Sequence, residues 1–317
     1  MRELASYDIV SDIRPIEGAD KIECARVKGW DVVVAKGEFS VGDPVVYFEI
    51  DSFLPMDDPR FEFLAPRGVR KMGEKSGHVL KTIKLRGQVS QGLILPASLF
   101  PDLPEIEKWE PPLPNGSGEI VGGFPLKWAP KTDSERIQNL GKNLEQILEG
   151  NWFATEKIDG SSTTFVNTDE GVLVASRNWI VGENDFRYRI LNDLNLLEGL
   201  PIGWAVQGEV FGEGIQNNPL RIKGQSFKAF SLYDNGKFVP YDQWPEILVK
   251  HRVPTLELEM PTTIEGFVSQ VDKMMSTINP QRNAEGVVWH GDRTYMFLGN
   301  RSTFKAINNQ YLLKMKE

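Results

Sequence analysis

Seven consecutive residues near the middle of the chain combine the side chains best suited to phosphate chemistry. They are Glu156-Lys157-Ile158-Asp159-Gly160-Ser161-Ser162. A free lysine amine has a pKa near ~10.4, so Lys157 needs partial burial or cationic neighbours before it can attack phosphorus. Gly160 would let a phosphate approach the backbone closely, and Asp159 could order metal-bound water beside it. This pattern predicts that Lys157 is a nucleophile that takes a nucleotide onto its side-chain nitrogen. The alternative is an ordinary surface strand followed by a turn, because so short a motif also arises by chance.

Four charged residues interrupt otherwise apolar strands in the second half of the chain. They are Arg177, Glu209, Glu285 and Lys305. Burying one such charge is costly unless it meets a partner. With Lys157 they indicate strands that converge on a charged ligand, since a triphosphate with a divalent metal requires both cations and carboxylates. For each residue alone, the alternative is a charge on an edge strand that faces water.

Strands and short helices alternate around these residues. Thr132 and Glu135 match a capping box, and the apolar residues that follow predict a helix from Thr132 to Gly150 with Arg136 in its first turn. The segments on either side of the Lys157 turn are predicted to be strands. The remaining predictions are strands over 172–177, 204–212, 227–233 and 302–307, helices over 186–197 and 267–275, and a hairpin of 286–289 with 295–297.

Residues 1–100 contain several short runs of alternating apolar and polar residues between glycine turns, which predicts a small β-barrel such as an OB-fold. Residues 60–100 hold eight lysines and arginines against two glutamates, although the whole chain has a net charge of -8. Such a basic stripe can follow a nucleic-acid backbone, and a solvated face is the alternative. The candidate RNA contacts are Arg67, Arg70, Lys71, Lys81, Lys84 and Arg86.

Residues 101–131 are rich in proline and glycine, which predicts a linker or a wrapping segment rather than an interior sheet. We therefore expect an OB-fold domain over 1–100, a linker over 101–131 and a second domain over 132–317. The expected fold class is α+β.

Composition is that of a soluble globular protein, with 40% apolar and 25% charged residues. The first residues include acids where a secretory leader would be apolar, and no apolar run reaches the roughly 20 residues that cross a bilayer. The single cysteine, Cys24, cannot form an internal disulfide and is interpreted as a packing residue. We therefore expect a cytoplasmic protein without a membrane partner. One cysteine and three histidines are too few for a zinc site to be expected.

Six segments, in order along the chain, are similar to the signatures of the covalent nucleotidyltransferases, which include RNA ligases, DNA ligases and mRNA capping enzymes. The segments are Lys157-Ile158-Asp159-Gly160, Ser176-Arg177-Asn178, Gly208-Glu209-Val210-Phe211-Gly212, Phe230-Ser231-Leu232-Tyr233-Asp234, Glu285-Gly286-Val287-Val288 and Phe304-Lys305. With residues 131–136 and the predicted barrel, the chain resembles the RNA ligase branch that has an N-terminal OB module, typified by the Naegleria nick-sealing enzyme. The resemblance implies an ATP-grasp-like nucleotidyltransferase domain of antiparallel sheets with flanking helices.

The resemblance also implies roles around the phosphates. Lys157 would carry AMP as a lysyl-adenylate, and Lys305 would hold the α-phosphate and lower the pKa of Lys157. Arg177 would hold the ribose or the phosphates, and Arg136 would contact the β- and γ-phosphates. The remaining members of the implied ATP-binding set are Glu156, Gly160 and Asn178.

For the metal and the base, the resemblance implies that Glu285 positions Mg²⁺ or Mn²⁺ and that Asp159 acts through the water shell of the metal. Glu209 would contact the ribose or metal-bound water. Phe230 would stack on adenine, with Phe227 as its rival.

The final signature of the family often holds two lysines separated by one residue. Lys305 has no such partner after it, and Lys314 with Lys316 shows the spacing nearer the end of the chain.

The implied function is an ATP-dependent RNA ligase that joins 3′-hydroxyl and 5′-phosphate ends through a lysyl-AMP and an adenylylated RNA. The expected substrate is nicked duplex RNA and the expected enzyme is a monomer. The alternatives are a DNA ligase, a capping-type nucleotidyltransferase, and a non-catalytic RNA-binding protein with a degenerate nucleotide pocket.

Overall fold

The computed structural model describes residues 3–111 and 116–314, without the side chains of Asn300 and Arg301. Strands dominate both halves of the chain, and helices are short. Among the residues described, no helix has the length and apolar character that crossing a bilayer requires. The fold class is α+β, as predicted.

The N-terminal barrel is built from short antiparallel strands in four small sheets. Its strands are β1 (Ala5–Ile9), β2 (Asp12–Pro15), β3 (Ile22–Val27), β4 (Trp30–Ala35), β5 (Pro44–Phe48), β6 (Ser52–Pro55), β7 (Arg70–Met72), β8 (Lys75–Val79), β9 (Ile83–Leu85), β10 (Gln88–Ser90) and β11 (Leu93–Pro96). Strand β5 lies between β1 and β11 in its sheet, and both of its faces are covered. Val45 and Tyr47 enter one apolar cluster, while Val46 and Phe48 enter another. Cys24 is buried on β3, which agrees with a packing role.

The proline-rich segment contributes an edge strand to each half of the molecule. Strand β12 (Glu107–Lys108) pairs with β6 of the barrel, and β13 (Ile120–Gly123) lies at the edge of a large sheet in the second half. Edge positions tolerate neighbouring prolines because one side of the strand needs no ladder partner.

Two mainly antiparallel sheets form the second domain. The five-stranded sheet has the order β14-β24-β23-β15-β22, and the seven-stranded sheet has the order β13-β18-β17-β16-β19-β20-β21. The strands are β14 (Glu135–Arg136), β15 (Trp152–Lys157), β16 (Ser161–Thr168), β17 (Gly171–Ala175), β18 (Trp179–Val181), β19 (Trp204–Gly212), β20 (Gln225–Asp234), β21 (Lys237–Phe238), β22 (Thr255–Leu256), β23 (Gly286–Gly291) and β24 (Thr303–Ile307). The helices are α1 (Leu144–Leu148), α2 (Phe186–Leu194), α3 (Glu246–Val249), α4 (Ile264–Val271) and α5 (Asn309–Lys314).

The predicted helix from Thr132 to Gly150 is wrong over most of its length. The Thr132 hydroxyl bonds to Ser162 at 2.7 Å instead of capping a helix, and residues 135–136 form β14, parallel to β24. Two 3₁₀ turns follow, and only α1 is α-helical. Ile137 and Ile147 are nevertheless both buried in one cluster, so the apolar spacing was informative while tertiary pairing decided the backbone.

The predicted hairpin of 286–289 with 295–297 is also wrong. Strand β23 pairs with β24, and residues Met296–Arg301 form 3₁₀ turns. Tyr295 stacks on Trp152 with the ring centroids 4.5 Å apart, which keeps this segment off the sheet. The two predicted helices are present with different bounds. Helix α2, capped by Asp185, ends at Leu194 instead of 197, and α4 runs from Ile264 to Val271 instead of 267–275.

The barrel docks tightly on the second domain. The backbone N–H of Gly29 donates to the carbonyl of Gln138, and Trp30 Nε1 donates to Asn139 Oδ1 at 2.7 Å. A β-carbon at Gly29 would lie 2.7 Å from Ile264 Cγ2, so only glycine permits this approach. An ion pair between Arg26 and Glu265 lies in the same contact.

Candidate active site

A cavity of about 1000 Å³ opens between the barrel, the proline-rich segment and the second domain. All the residues predicted to bind the nucleotide or its metal line this one cavity. They are Arg136, Glu156, Lys157, Asp159, Gly160, Arg177, Asn178, Glu209, Phe230, Glu285 and Lys305. Strands from both sheets therefore converge as the charge pattern predicted.

The Lys157 turn joins the two sheets. Lys157 ends β15 opposite Gly286 in the five-stranded sheet, and Ser161 begins β16 opposite Val210 in the seven-stranded sheet. A β-carbon on Gly160 would lie 2.2 Å from the Val210 carbonyl oxygen, so this position has no room for a side chain. The chain can cross between the sheets here only because residue 160 is glycine.

Carboxylates, rather than cations, are the nearest partners of the Lys157 amine. Its Nζ donates to Glu285 Oε2 at 2.6 Å, and the side chain is 27% exposed. Burial favours the neutral amine, but the charges of Glu285, Glu209 and Asp159 outweigh it and raise the pKa of Lys157. The pKa of Lys157 is therefore raised in this arrangement, whereas the resemblance implied that it would be lowered.

Burial and nearby carboxylate charge raise the pKa of two acids in the cavity, Asp159 and Glu209. Burial, reinforced by Glu285, raises the pKa of Asp159 to about 7, although Tyr311 and Lys157 oppose the shift. Burial raises the pKa of Glu209 to about 8, with Glu285 and Asp159 adding to it and Lys157 opposing it. A divalent cation would relieve this repulsion, and oxygen donors are those that Mg²⁺ and Mn²⁺ prefer.

The donor set fits a metal that keeps much of its water shell. Within residues 3–111 and 116–314, no cluster of three or more histidine, cysteine or acidic side chains has the geometry of a ready-made metal cage. Mg²⁺ is typically held by one or two carboxylates together with water and substrate phosphates. Asp159, Glu209 and Glu285 suit that mode.

A second cluster of charged side chains in the cavity surrounds Asp133, at a position that a phosphate could also occupy. Arg177 donates to Asp133 Oδ1 at 2.6 Å, and Lys108 Nζ lies 3.7 Å from the same oxygen. Burial favours protonated Asp133, but Lys108, Arg177 and Lys305 outweigh it and hold its pKa far below the usual range. The cations therefore form an anion-binding group with Asp133 as its internal anion.

One end of the cavity is suited to a base. Phe230 lines it and packs with Ile158 and Val253, whereas its rival Phe227 is buried in the core, edge to face with Phe165. Glu156 Oε2 accepts a hydrogen bond from the Thr277 backbone N–H at 2.7 Å. Glu156 Oε1 is buried without a hydrogen-bond partner among the residues described.

Arg136 is buried at the wall that faces the barrel, and its guanidinium carbon lies 5.6 Å from the centroid of the Trp30 ring. Asn178, which also lines the cavity, accepts a hydrogen bond from Lys131 Nζ at 3.0 Å. The basic residues proposed for RNA do not line the cavity. Arg67, Arg70, Lys71, Lys81, Lys84 and Arg86 are all exposed on the barrel.

Three residues of the site were missed in the sequence. Asp133 joins the anion-binding group, and Tyr311 donates from its hydroxyl to Asp159 Oδ2 at 2.6 Å. Arg187 is buried beside the cavity, where its Nη1 donates to both carboxylate oxygens of Asp185, at 2.9 and 3.0 Å. Its Nε donates to Thr163 Oγ1. Of the three, only Asp133 could have been found from the sequence, because it lies three residues before Arg136, which was itself predicted to bind phosphates.

Comparison with known proteins agrees with this geometry. A model of an OB-fold domain matches residues 4–97, and the RNA ligase family model matches residues 150–307. No curated protein sequence gave a significant match.

The fold is shared with solved structures of an RNA ligase from Naegleria gruberi. An apo form of a variant of that enzyme is 37% identical, with a TM-score of 0.86 over 99% of this chain and 98% of that one. The complex of the Naegleria enzyme with pyrophosphate is 36% identical, with a TM-score of 0.86 over 100% of this chain and 99% of the other. A variant with ATP and Mn is 37% identical, with a TM-score of 0.84 over 98% of each chain. Likeness at this identity over nearly the full length of both proteins shows that the chain belongs to the ATP-dependent RNA ligases.

Proposed function

We propose that this enzyme seals RNA in three steps, which are two transfers of AMP and a final joining reaction that releases it. The Lys157 amine attacks the α-phosphorus of ATP, a phosphorus–nitrogen bond forms, and pyrophosphate leaves. The 5′-phosphate of an RNA end then attacks the same phosphorus, which breaks the phosphorus–nitrogen bond and places AMP on the RNA. Finally a neighbouring 3′-hydroxyl attacks the RNA phosphate, and AMP is released as the strand is joined.

The contact between Lys157 and Glu285 carries this proposal. It places a partly buried amine at 2.6 Å from one carboxylate in a cavity that also holds Glu209, Lys305 and Arg177. The amine must lose its proton before it can attack. Neutralising the charge of Glu285 would remove the largest of the charges that raise the pKa of Lys157, so that burial, which favours the free amine, would meet less opposition.

Phosphate groups would enter the anion-binding group in place of the Asp133 carboxylate. Arg177 and Lys305 would then hold the α-phosphate, while Arg136 would meet the β- and γ-phosphates at the barrel side. Asp159, Glu209 and Glu285 would hold Mg²⁺ or Mn²⁺, directly or through its water. When bound, the metal supplies charge that stabilises the transferring phosphoryl group. The protein contributes mostly position and electrostatics.

Adenine would stack on Phe230 beside Glu156. The free Oε1 of Glu156 can accept a hydrogen bond from the exocyclic amino group of adenine, whereas the carbonyl oxygen at the corresponding place in guanine would repel it. This arrangement supports ATP, rather than GTP, as the nucleotide, and it argues against a capping reaction.

RNA would lie across the exposed basic residues of the barrel, with its break at the mouth of the cavity. A nicked duplex suits this placement because the barrel and the second domain could each hold one side of the break.

One chain supplies every wall of the cavity described here, which supports a monomer. We propose the domain division at 1–100, 101–131 and 132–317. The single cysteine, Cys24, has no partner for an internal disulfide, which supports a cytoplasmic location.

Labelled nucleotides test the reaction. ATP labelled at the α-phosphate should label the protein covalently in the presence of Mn²⁺, whereas ATP labelled at the γ-phosphate should not. Nicked RNA with a 5′-phosphate and a 3′-hydroxyl should then be sealed, and the same nick without the 5′-phosphate should not. Labelling by GTP would favour a capping enzyme, preferred sealing of nicked DNA would favour a DNA ligase, and salt-sensitive RNA binding without labelling would favour a non-catalytic protein.

A further inference from the structure

The C-terminal helix α5 lies directly behind the reacting centre, beyond the last segment that resembles a family signature. Asn308, the residue before it, is fully buried and donates its backbone N–H to the carbonyl of Glu285 at 2.9 Å. Its side-chain amide donates to the carbonyl of Ala284 at 3.2 Å. The helix therefore starts from the same backbone that presents Glu285 to Lys157.

One turn into the helix, Tyr311 reaches the Lys157 turn. The hydroxyl donates to Asp159 Oδ2 at 2.6 Å across 152 positions of sequence, and the ring is 7% exposed. The backbone N–H of Tyr311 donates to Asn308 Oδ1, which fixes the tyrosine relative to the start of the helix. A buried ring with an anchored backbone leaves its hydroxyl little freedom, so it can hold the Asp159 carboxylate in one orientation.

The next residue braces the helix on the other domain. Leu312 packs against the apolar core of the barrel, close to the cluster that contains Trp30 and Tyr47. Helix α5 is therefore held at its start by the bond from Asn308 to the Glu285 carbonyl and farther along by the packing of Leu312 on the barrel, with Tyr311 between them in sequence. Such a support can keep a catalytic carboxylate within the small tolerance that phosphoryl transfer needs.

We propose, on the basis of the ligase function proposed above, that Tyr311 is a positioning residue for the attack of Lys157 on ATP. By binding Oδ2 of Asp159, its hydroxyl leaves Oδ1 directed to the phosphates and the metal water. Tyr311 touches neither substrate nor metal and acts only through Asp159. Its loss should therefore slow the chemical step without weakening ATP binding.

The chain offers a matched control in Tyr295. This residue is also 7% exposed, and its hydroxyl donates to Asp292 Oδ1 at 3.2 Å, outside the residues that line the cavity. Tyr311→Phe and Tyr295→Phe each remove one hydroxyl and one hydrogen bond to an aspartate. Only the first aspartate belongs to the site.

The test measures single-turnover labelling of the full-length protein by ATP with Mn²⁺, at increasing ATP. Tyr311→Phe should lower the rate constant at saturating ATP by about tenfold, the usual effect of losing a hydrogen bond to a charged group, while the half-saturating ATP concentration stays within about twofold. Tyr295→Phe should match the wild type. In a Lys157→Ala background, which cannot react, Tyr311→Phe should leave the Kd of ATP within about twofold of its parent.

A double-mutant cycle shows whether the effect passes through Asp159. In an Asp159→Asn background, followed over hours so that slow labelling is measured, Tyr311→Phe should change the rate by less than about threefold. Equal rates for Tyr311→Phe and Tyr295→Phe, a parallel rise in half-saturating ATP, or an undiminished tenfold effect in the Asp159→Asn background would each overturn the inference. A wild type that takes no label overturns the proposed function itself, whereas a labelled wild type with an unaffected Tyr311→Phe overturns only this role.

Discussion

At the scale of single residues, the arrangement around Lys157, the proposed nucleophile, favours the protonated form of its amine. Glu285 holds the amine at 2.6 Å, and Glu209 and Asp159 add their charges. Burial raises the pKa of Glu209 to about 8, and the neighbouring carboxylates of Glu285 and Asp159 add to this shift. Under the proposed function, a bound cation and triphosphate would rearrange these charges, and the reactivity of the amine would then depend on substrate binding.

Glu156 provides the residue-scale prediction. Its Oε1 is buried and has no hydrogen-bond partner in the described residues, while Thr277 occupies Oε2. Glu156→Gln should raise the half-saturating ATP concentration for labelling by about tenfold, since one hydrogen bond to a charged acceptor is weakened. The substitution should also reduce the preference for ATP over GTP, measured as the ratio of labelling with the two nucleotides. Equal preference in the variant and the wild type, measured by labelling with each nucleotide, would contradict the assignment.

Sequence reasoning at this scale succeeded where charge stood out against an apolar strand. Glu209, Glu285 and Lys305 could be identified because a lone charge on such a strand needs a partner. Tyr311 could not, since a tyrosine on a short helix is ordinary and its partner Asp159 lies 152 positions away in sequence. Arg187 could not either, because its pair with the nearby Asp185 does not show that it lies beside the cavity. The pKa of Lys157 was mispredicted because it depends on distances to carboxylates that no motif records.

At the scale of elements, the site depends on the turn that carries the chain from one sheet to the other. Strands β15 and β16 were predicted, but their membership of different sheets was not, because sequence alternation does not show which strands pair. The helix predicted over 132–150 failed for a related reason. Residues 135–136 gain more by pairing with β24 than by continuing a helix, and that partner lies far along the chain.

Gly160 provides the element-scale prediction. Because a β-carbon there would meet the Val210 carbonyl at 2.2 Å and Glu209 Cγ at 3.0 Å, Gly160→Ala must displace the Lys157 turn. A displacement of about 1 Å should slow labelling by about 10²-fold. Gly123→Ala is the control, since a β-carbon there has no atom within 4 Å. Similar labelling rates in both variants would show that the turn can move without harm.

At the scale of the whole molecule, the barrel contributes both a wall of the active site and a basic surface. Trp30 packs over Arg136 inside the contact between the domains, so the barrel also supports a residue proposed to bind phosphates. The barrel and the proline-rich segment were predictable from composition and turn residues. Their docking was not, because it depends on Gly29 approaching Gln138 and Ile264, which no local pattern reveals.

The basic surface provides the prediction at this scale. Arg70 and Lys71 are exposed on strand β7, outside the cavity. Replacing both with serine should weaken binding of nicked duplex RNA and reduce the slope of log K against log salt by about 1.5, as expected when two phosphate contacts are lost. Labelling by ATP should be unchanged. A double replacement of Lys223 and Lys237, which are exposed on the second domain, is the control, and an equal loss of slope there would show that the barrel has no special role.

The most direct measurement is to locate the AMP on the protein and follow it onto RNA. Wild-type enzyme is labelled with ATP, freed of nucleotide and digested, and the modified peptide is identified by mass spectrometry. The adduct should lie on Lys157, be absent from Lys157→Ala, and move to the 5′-phosphate of nicked RNA when RNA is added without ATP. An adduct on another residue, undiminished labelling of Lys157→Ala, or an adduct that RNA cannot remove would contradict the account.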